Sequence, residues 1–287
     1  MWLVTHASGT FGRAVVQAAA AEGHRLRLLV SDPAQLPPDL KAHEALPADY
    51  ADNAALARAF AGVSALVLST PLDAQMGDWQ EALARAARAA GVGRVVQITS
   101  LGADPKSPIR RLRWLGDAEA RVAATGVKAW ILRPAVAMQS LLRHNPEIGI
   151  GGRLEAPFRR AKMPLVDARD VAAVTLRLLE SDETPRALEL SGTKPLDYFE
   201  IARECSRACG HRIEYLDICS PKARGNLEAR GLSPRLIEAL IEFWDYAAAG
   251  IVPVPITDDI ERVLGRAPRS LCDFLKDGKP ARRTCRS

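Results

Sequence analysis

The chain opens Met1-Trp-Leu-Val-Thr-His-Ala-Ser-Gly-Thr-Phe-Gly12, a short apolar run that breaks into a turn of small residues and then into Ala and Val at helical spacing. A strand delivered into a helix through so brief a turn leaves few folds open. Gly9 and Gly12 stand three residues apart. At that spacing one glycine lets backbone N–H groups approach a ligand closely, and the next lets the helix pack against the strand. The segment reads as the first strand–turn–helix of a dinucleotide-binding βαβ unit, with a pyrophosphate held by Ser8, Gly9, Thr10, Phe11 and Gly12. Where the usual pattern has its first glycine this chain has His6. Histidine tolerates left-handed dihedrals better than most side chains but adds bulk beside the phosphate. Two roles are open to it, bonding the phosphate or filling space; the second is preferred, because the turn needs N–H donors more than another charge.

Apolar strand candidates alternate with amphipathic helices through the first half. Strands are expected at Trp2–Thr5, Arg25–Val30, His43–Leu46, Ala65–Thr70, Arg94–Thr99 and Ala129–Leu132. Helices are expected at Arg13–Ala21, Ala54–Ala61, Trp79–Ala90 and Ala118–Ala124. Val/Ile/Leu-rich strands without a polar face are the mark of a parallel sheet covered on both sides, so the fold class is α/β, a doubly wound Rossmann-type sheet. Ligands of such sheets sit at the carboxyl ends of the strands. That places Ser31, Asp49 and Tyr50 toward an adenosine and Ser69, Thr70 and Thr99 toward ribose and nicotinamide. Asp32 is read as an ordinary Asp-Pro turn. Residues 1–150 are expected to form the dinucleotide-binding domain. Residues 151–278 are expected to form a small, mostly helical substrate-side lobe interwoven with it. In that lobe Gly149–Pro164 reads as an irregular excursion, Ala187–Leu190 as a strand, and Leu196–Ala208 and Pro234–Ala248 as core-facing helices. Asp167 and Asp170 read as a helix start joining the lobes.

At 287 residues and 48% hydrophobic, the chain is long enough to bury a full core. No apolar stretch approaches the ~20 residues of a membrane span, and the first strand leaves no room for a signal peptide, so a cytoplasmic protein is expected. A net charge of +5 is too small to argue for nucleic acid. Much of the excess lies in 279–287, expected to be a disordered basic tail. Arg110-Arg111-Leu112-Arg113 is a second basic cluster, either a solvated helix face or a rim that attracts an anionic substrate. The five cysteines, Cys205, Cys209, Cys219, Cys272 and Cys285, are odd in number and confined to the C-terminal third. They read as inert thiols, with neither a disulfide framework nor a metal site.

Taken in order along the chain, these segments resemble the NmrA-like group of atypical short-chain dehydrogenases over residues 1–275. The carriers are Val4-Thr-His-Ala-Ser-Gly-Thr-Phe-Gly-Arg13, Ala48-Asp-Tyr50, Val95-Val-Gln-Ile-Thr-Ser-Leu-Gly-Ala-Asp104, Ile131-Leu-Arg-Pro134, Leu165-Val-Asp-Ala-Arg-Asp-Val-Ala172, Leu188-Glu-Leu-Ser-Gly192 and Thr257-Asp-Asp-Ile260 with Gly265-Arg-Ala-Pro268. The resemblance implies NADP or NAD as cofactor, with NADP favoured, and a small-molecule acceptor. A homodimer is also admitted. It implies a substrate pocket lined by Trp114, Leu115, Pro134 and Met138, although Trp114 is read first as a helix core residue and Met138 equally well as core, and hydroxyls at Ser100 and Thr99 able to polarise an acceptor oxygen. Those two hydroxyls also admit the plainer reading of strand ends satisfied by backbone.

Two departures from the family pattern matter. The Tyr-x-x-x-Lys pair of short-chain dehydrogenases would fall at Arg111 and Leu115, counted back from Glu119. An arginine with pKa above ~12 is no useful acid at neutral pH, and leucine has no proton to give. Alcohol chemistry is therefore disfavoured, while hydride transfer to a quinone, azo compound or unsaturated metabolite survives. Where relatives carry an Arg or an acid to read the ribose 2′ position, this chain has Ser31, with Arg13 and Arg27 as the other candidate charges. The same departures keep open a dinucleotide-binding sensor acting through a protein partner.

Overall fold

The computed structural model describes residues 1–47, 49–144, 152–252 and 255–277. Its first half runs β1 (Trp2–Thr5), α1 (Thr10–Ala21), β2 (Leu26–Val30), β3 (Glu44–Pro47), α2 (Asn53–Phe60), β4 (Ala65–Leu68), α3 (Met76–Ala89), β5 (Arg94–Ile98), α4 (Arg110–Ala124) and β6 (Ala129–Pro134). The second half continues β7 (Val136–Ala137), α5 (Gln139–His144), β8 (Arg153–Ala156), β9 (Met163–Val166), α6 (Ala168–Leu179), β10 (Ala187–Leu190), β11 (Pro195–Leu196), α7 (Tyr198–Cys209), β12 (Glu214–Asp217), α8 (Ser220–Ala229), α9 (Pro234–Ala248), α10 (Asp259–Leu264) and α11 (Leu271–Asp277). The expected tail, 279–287, lies outside the described residues, as do Ala48, Gly149 and Cys285.

Seven strands form one parallel sheet in the order β10-β6-β5-β4-β1-β2-β3. This is the doubly wound α/β arrangement that the strand pattern implies. Side chains alternate across each strand and feed two cores. Val4, Leu28, Val67 and Val96 face α1 and α6 on one side. Leu3, Leu29, Leu66 and Val95 face α2 and α3 on the other, where Phe60 and Leu83 are fully buried. Each large aliphatic side chain so buried contributes about 1.5–3 kcal/mol over its exposed state.

Three differences from the sequence reading have plain causes. Helix α4 begins at Arg110, well before Ala118, because Leu112 and Leu115 extend its buried stripe between arginines. The excursion after Gly149 contains β8, which pairs in parallel with β12, and ends in β9, which pairs with β7 and β11. Such short strands find their partners far along the chain and leave no local alternation. The C-terminal lobe is therefore only partly helical. Its core gathers Leu154, Phe158, Tyr198, Ile213, Tyr215 and Phe243 with Leu112 and Leu115 of α4.

Two fully buried carboxylates fasten this lobe to the sheet. Asp167 caps α6 by accepting from the Arg169 N–H, and it also accepts from the Arg169 guanidinium at 2.6 Å and from the Gln139 amide at 2.9 Å. Asp170 accepts from Arg266 at 2.7 Å, from the Arg269 N–H at 2.6 Å and from the Arg269 guanidinium, pinning the segment that leads to α11. All four described cysteines are free thiols, and burial pushes Cys205 up to about 12, which keeps it an inert thiol at neutral pH.

Removing the Asp170 carboxylate strands two arginines that partly reach solvent. Asp170→Ala is expected to lower stability by about 3 kcal/mol, the low end for breaking a buried pair, read as the urea midpoint. For Asp167, burial pushes the carboxyl up, but the hydrogen bonds from Arg169 and Gln139 outweigh it and hold the pKa below its ordinary 3.8. A pKa depressed by folding contributes stability above the unfolded value and loses it as pH falls through the folded one. Asp167→Asn is thus expected to be less stable than the native chain at pH 7, with the gap narrowing below pH 3.8.

Candidate active site

A cavity of about 610 Å³ opens at the carboxyl ends of β1, β4, β5 and β6 and runs under α9. At one end it is lined by the β1–α1 turn, His6, Gly9, Thr10, Phe11 and Gly12. His6 adopts φ +50°, the left-handed region that histidine can reach, and its ring lies over Gly9. A Cβ on Gly9 would meet that ring at 2.4 Å, and a Cβ on Gly12 would meet the His6 carbonyl oxygen at 2.4 Å. Glycine at position 12 therefore lets α1 start against the end of β1, while His6 fills the space over Gly9. The N-cap of α1 is Gly9, which has no side chain to cap it, and a helix leaves its first-turn N–H groups without intrahelical acceptors. Together these features fit a dinucleotide phosphate.

The neighbouring strand ends add hydroxyls. Thr5 Oγ1 donates to the Ser69 carbonyl at 2.5 Å and accepts from the Ser69 N–H at 2.9 Å, clamping β1 to β4. Behind Thr70 runs a buried amide relay in which Gln97 donates to Gln80 at 2.8 Å and Gln80 donates to the Thr70 hydroxyl at 3.0 Å. With its oxygen accepting from Gln80, Thr70 keeps its proton for the cavity. Thr99 is arranged oppositely. Its hydroxyl donates to Glu119 at 2.6 Å, and Glu119 is held at 2.5 Å by Arg133. Thr99 therefore reaches the cavity with its proton already committed. Ser100, the next residue, makes only a 3.5 Å contact to the Leu101 carbonyl and faces the same cavity.

Not all the expected site residues meet at this cavity. Ser8 and Ser31 are exposed and outside its lining. Asp49, also exposed, accepts from the N–H groups of Ala51 and Asp52, a turn inside the chain after β3. Tyr50 packs on Trp79 at 5.5 Å between ring centroids, and burial pushes its hydroxyl up to about 12. Asp32 accepts from the Ala34 N–H and the Gln35 amide, the local Asp-Pro turn that the sequence indicates. Arg13 is held by Asp39 at 2.8 Å and Arg27 by Glu44 at 2.8 Å, so both candidate charges are engaged.

Of the residues expected in the substrate pocket, Leu115 lines the cavity. Trp114, Pro134 and Met138 do not, and each has a local reason. Trp114 is one residue off the inward stripe of α4 and packs on the lobe core. Pro134 is spent in β6, where its carbonyl accepts from the Leu101 N–H. Met138 is buried against Gly192 on the far side of β7.

The opposite end of the cavity was not foreseen as a site. Leu236, Leu240, Phe243 and Trp244 of α9 roof it, facing Phe158 and Tyr198. The signal lay in α9 itself, whose apolar arc is wider than one buried face requires. Ile237 and Ile241 pack on Ala223 and Leu227 of α8, while Leu236, Leu240, Phe243 and Trp244 line the cavity, Phe243 and Trp244 also packing on the lobe core. Arg111 of α4 enters the same wall with its guanidinium 4.2 Å from the Phe243 ring centre.

Residues 7–182 match the family model described as NAD(P)H-binding. The chain is 29% identical to the NAD(P)H azoreductase of Xenophilus azovorans over 279 residues, covering 96% of this chain and 97% of that one. It is 30% identical to the (4-alkanoyl-5-oxo-2,5-dihydrofuran-3-yl)methyl phosphate reductase of Streptomyces griseus, covering 96% of each. Its fold matches that of the NADPH-dependent quinone oxidoreductase of Escherichia coli, solved with NADPH, with a TM-score of 0.80 at 23% identity over 96% of this chain and 99% of that one. No helix among the described residues is long and apolar enough to cross a membrane. The chain belongs to the NAD(P)H-binding family, within the NmrA-like atypical short-chain dehydrogenases that its sequence resembles.

Proposed function

We propose that this chain is an NAD(P)H-dependent reductase of flat, electron-poor acceptors such as quinones, azo compounds or conjugated enones. The observation that carries this reading is the single cavity that joins the phosphate turn to an apolar, aromatic-roofed end beside Ser100. The nicotinamide dinucleotide supplies a hydride, so the acceptor gains two electrons and one hydrogen, takes the matching proton from solvent, and leaves an oxidised nicotinamide behind. Gly9 to Gly12 and the start of α1 hold the pyrophosphate. Ser69 and Thr70 face the ribose and nicotinamide side, with Thr70 oriented by Gln80. Ser100 donates to the acceptor oxygen or nitrogen as charge builds there. Counted back from Glu119, Arg111 and Leu115 take the places of the family's Tyr and Lys, and on that count no acid pair serves the acceptor. A product anion spread over a conjugated system tolerates that lack. Catalysis then rests mainly on holding the two partners in contact, and such orientation supplies several kcal/mol of the barrier.

Cofactor preference follows from the same residues. Ser31 is uncharged, and Arg13 and Arg27 are paired with carboxylates, so neither a 2′-phosphate nor a 2′-hydroxyl meets a dedicated reader. The protein is read as accepting either dinucleotide.

Loss of nicotinamide absorbance with a panel of quinones, azo dyes and enones tests the activity. Turnover of at least one class is expected, and Ser100→Ala is expected to lower kcat about tenfold, the scale of one hydrogen bond to developing charge, with dinucleotide affinity unchanged. Binding of NADPH without turnover of any acceptor would instead favour a sensor. At the turn, Gly12→Ala must displace the His6 carbonyl, whereas His6→Gly relieves a left-handed side chain. Calorimetry is expected to show Gly12→Ala weakening NADPH binding by about tenfold or more and His6→Gly retaining it.

A further inference from the structure

The cluster Arg110-Arg111-Leu112-Arg113 resolves into three different situations. Arg110 accepts the company of Glu242, which lies 3.7 Å from its guanidinium and takes its N–H at 3.0 Å. Arg113 is exposed and donates to the carbonyls of Ser107 and Pro108. Arg111 turns inward to the cavity.

Three features make Arg111 costly to keep. Its Nε is buried and has no hydrogen-bond partner, and no carboxylate among the described residues pairs with its guanidinium. It sits in the first turn of α4, the positive end of the helix dipole, where a cation is disfavoured. Burial pushes its pKa down to about 10, so it remains a cation at neutral pH. Its one stabilising contact in view is a cation–π approach to Phe243, 4.2 Å from the ring centre, and the residue lines the cavity. The rest of the lining does not neutralise it. Glu155 is taken by Lys222 at 2.8 Å and by Asn226. Buried charge is ordinarily paired, and an unpaired one in a cavity is satisfied by what the cavity binds.

We propose that Arg111 makes the acceptor end of the cavity an oxyanion-recognition subsite, selecting flat conjugated acceptors that carry a sulfonate, carboxylate or phosphate group. The inference rests on the reductase reading for the word acceptor, but the binding of the anion does not depend on turnover. The charge is matched by a planar bidentate donor, and the conjugated body lies along Phe158, Tyr198 and the α9 roof.

The decisive comparison is calorimetric titration of the cofactor-free protein with naphthalene-2-sulfonate and its neutral match, naphthalene-2-sulfonamide. The native chain is expected to prefer the sulfonate by about tenfold or more, and Arg111→Met to lose that preference. Arg113→Met, which removes the same charge outside the cavity, is expected to keep it. Turnover gives a second readout. For 1,4-naphthoquinone-2-sulfonate, Arg111→Met is expected to raise KM about tenfold or more while kcat holds, and for 2-methyl-1,4-naphthoquinone to leave KM unchanged. Because it removes an unpaired buried cation, the substitution is also expected not to lower Tm. No sulfonate preference in the native chain overturns the proposal, as does an Arg111→Met protein that melts earlier yet keeps the preference. If neither quinone is reduced the reductase reading fails, and the sulfonate titration still decides the subsite.

Discussion

Strands β1 and β4 lie side by side at the centre of the sheet, yet the chain leaves them in opposite directions, into α1 on one face and α3 on the other. That divergence opens a crevice at their carboxyl ends, and everything functional in the molecule is placed relative to it. The crevice keeps its shape only while the two strand ends stay level. Thr5 and Ser69 see to this with a reciprocal set of bonds, the Thr5 hydroxyl both giving to and taking from the Ser69 backbone and the Ser69 hydroxyl returning to the Thr5 carbonyl at 3.3 Å. Both residues are buried, so the bonds are protected from competing water. A valine at position 5 would fill the same volume and leave two backbone groups of Ser69 unpaired.

A crevice alone is open to solvent, and a hydride acceptor needs walls. The C-terminal lobe supplies them, but it is built from short strands and helices with little sheet of its own. Its position is fixed by charge in two places at the start of α6, where Asp170 takes Arg266 and Arg269 and Arg169 takes Asp277. Since α6 also packs on α1, the helix that carries the phosphate turn, the anchor of the roof and the anchor of the cofactor end belong to one rigid unit. Phe158, Tyr198, Phe243 and Trp244 then meet as a set of rings, with Phe158 stacked on Tyr198 at 4.8 Å and edge-on to Trp244 at 6.1 Å. A wall of this kind favours planar ligands over aliphatic ones.

The sheet was legible in the sequence because parallel strands buried on both faces are written as apolar runs, from which β1, β2, β4, β5 and β6 were placed within a residue or two; β3, half-exposed at the sheet edge, was placed one residue early. β10 was read as well, though its place at the sheet edge beside β6 was not. The phosphate turn was legible because its chemistry demands glycine at fixed spacing. What stayed hidden depends on distant pairing. β8 and β12 are four-residue strands whose only mutual signal is a partner far along the chain. The roof was hidden for a related reason. Leu240 and Trp244 satisfy a helix pattern equally well whether they pack against protein or line a space. Ser31, Asp49 and Tyr50 were placed by analogy with strand ends. Local bonds decide where such residues point, and Asp49 is used by its own turn.

Arg111 shows how a residue read as a deficit changes meaning in three dimensions. Along the sequence it is the position where a proton donor is missing. In the fold it is a cation with no carboxylate partner among the described residues, on the wall of the cavity, 4.2 Å from the Phe243 ring centre and four residues from Leu115, which faces the same space. A wall with a fixed positive charge and no transferable proton cannot help an alkoxide leave as an alcohol, but it can hold negative charge that the ligand already carries. Ser100, whose neighbour Thr99 is tied to Glu119, is then the group left to donate locally. On the proposed reading, a cavity wall carrying Arg111 and Leu115 suits conjugated anionic acceptors better than alcohols and ketones. The stability forgone in burying an unpaired charge is recovered only when such a ligand is bound.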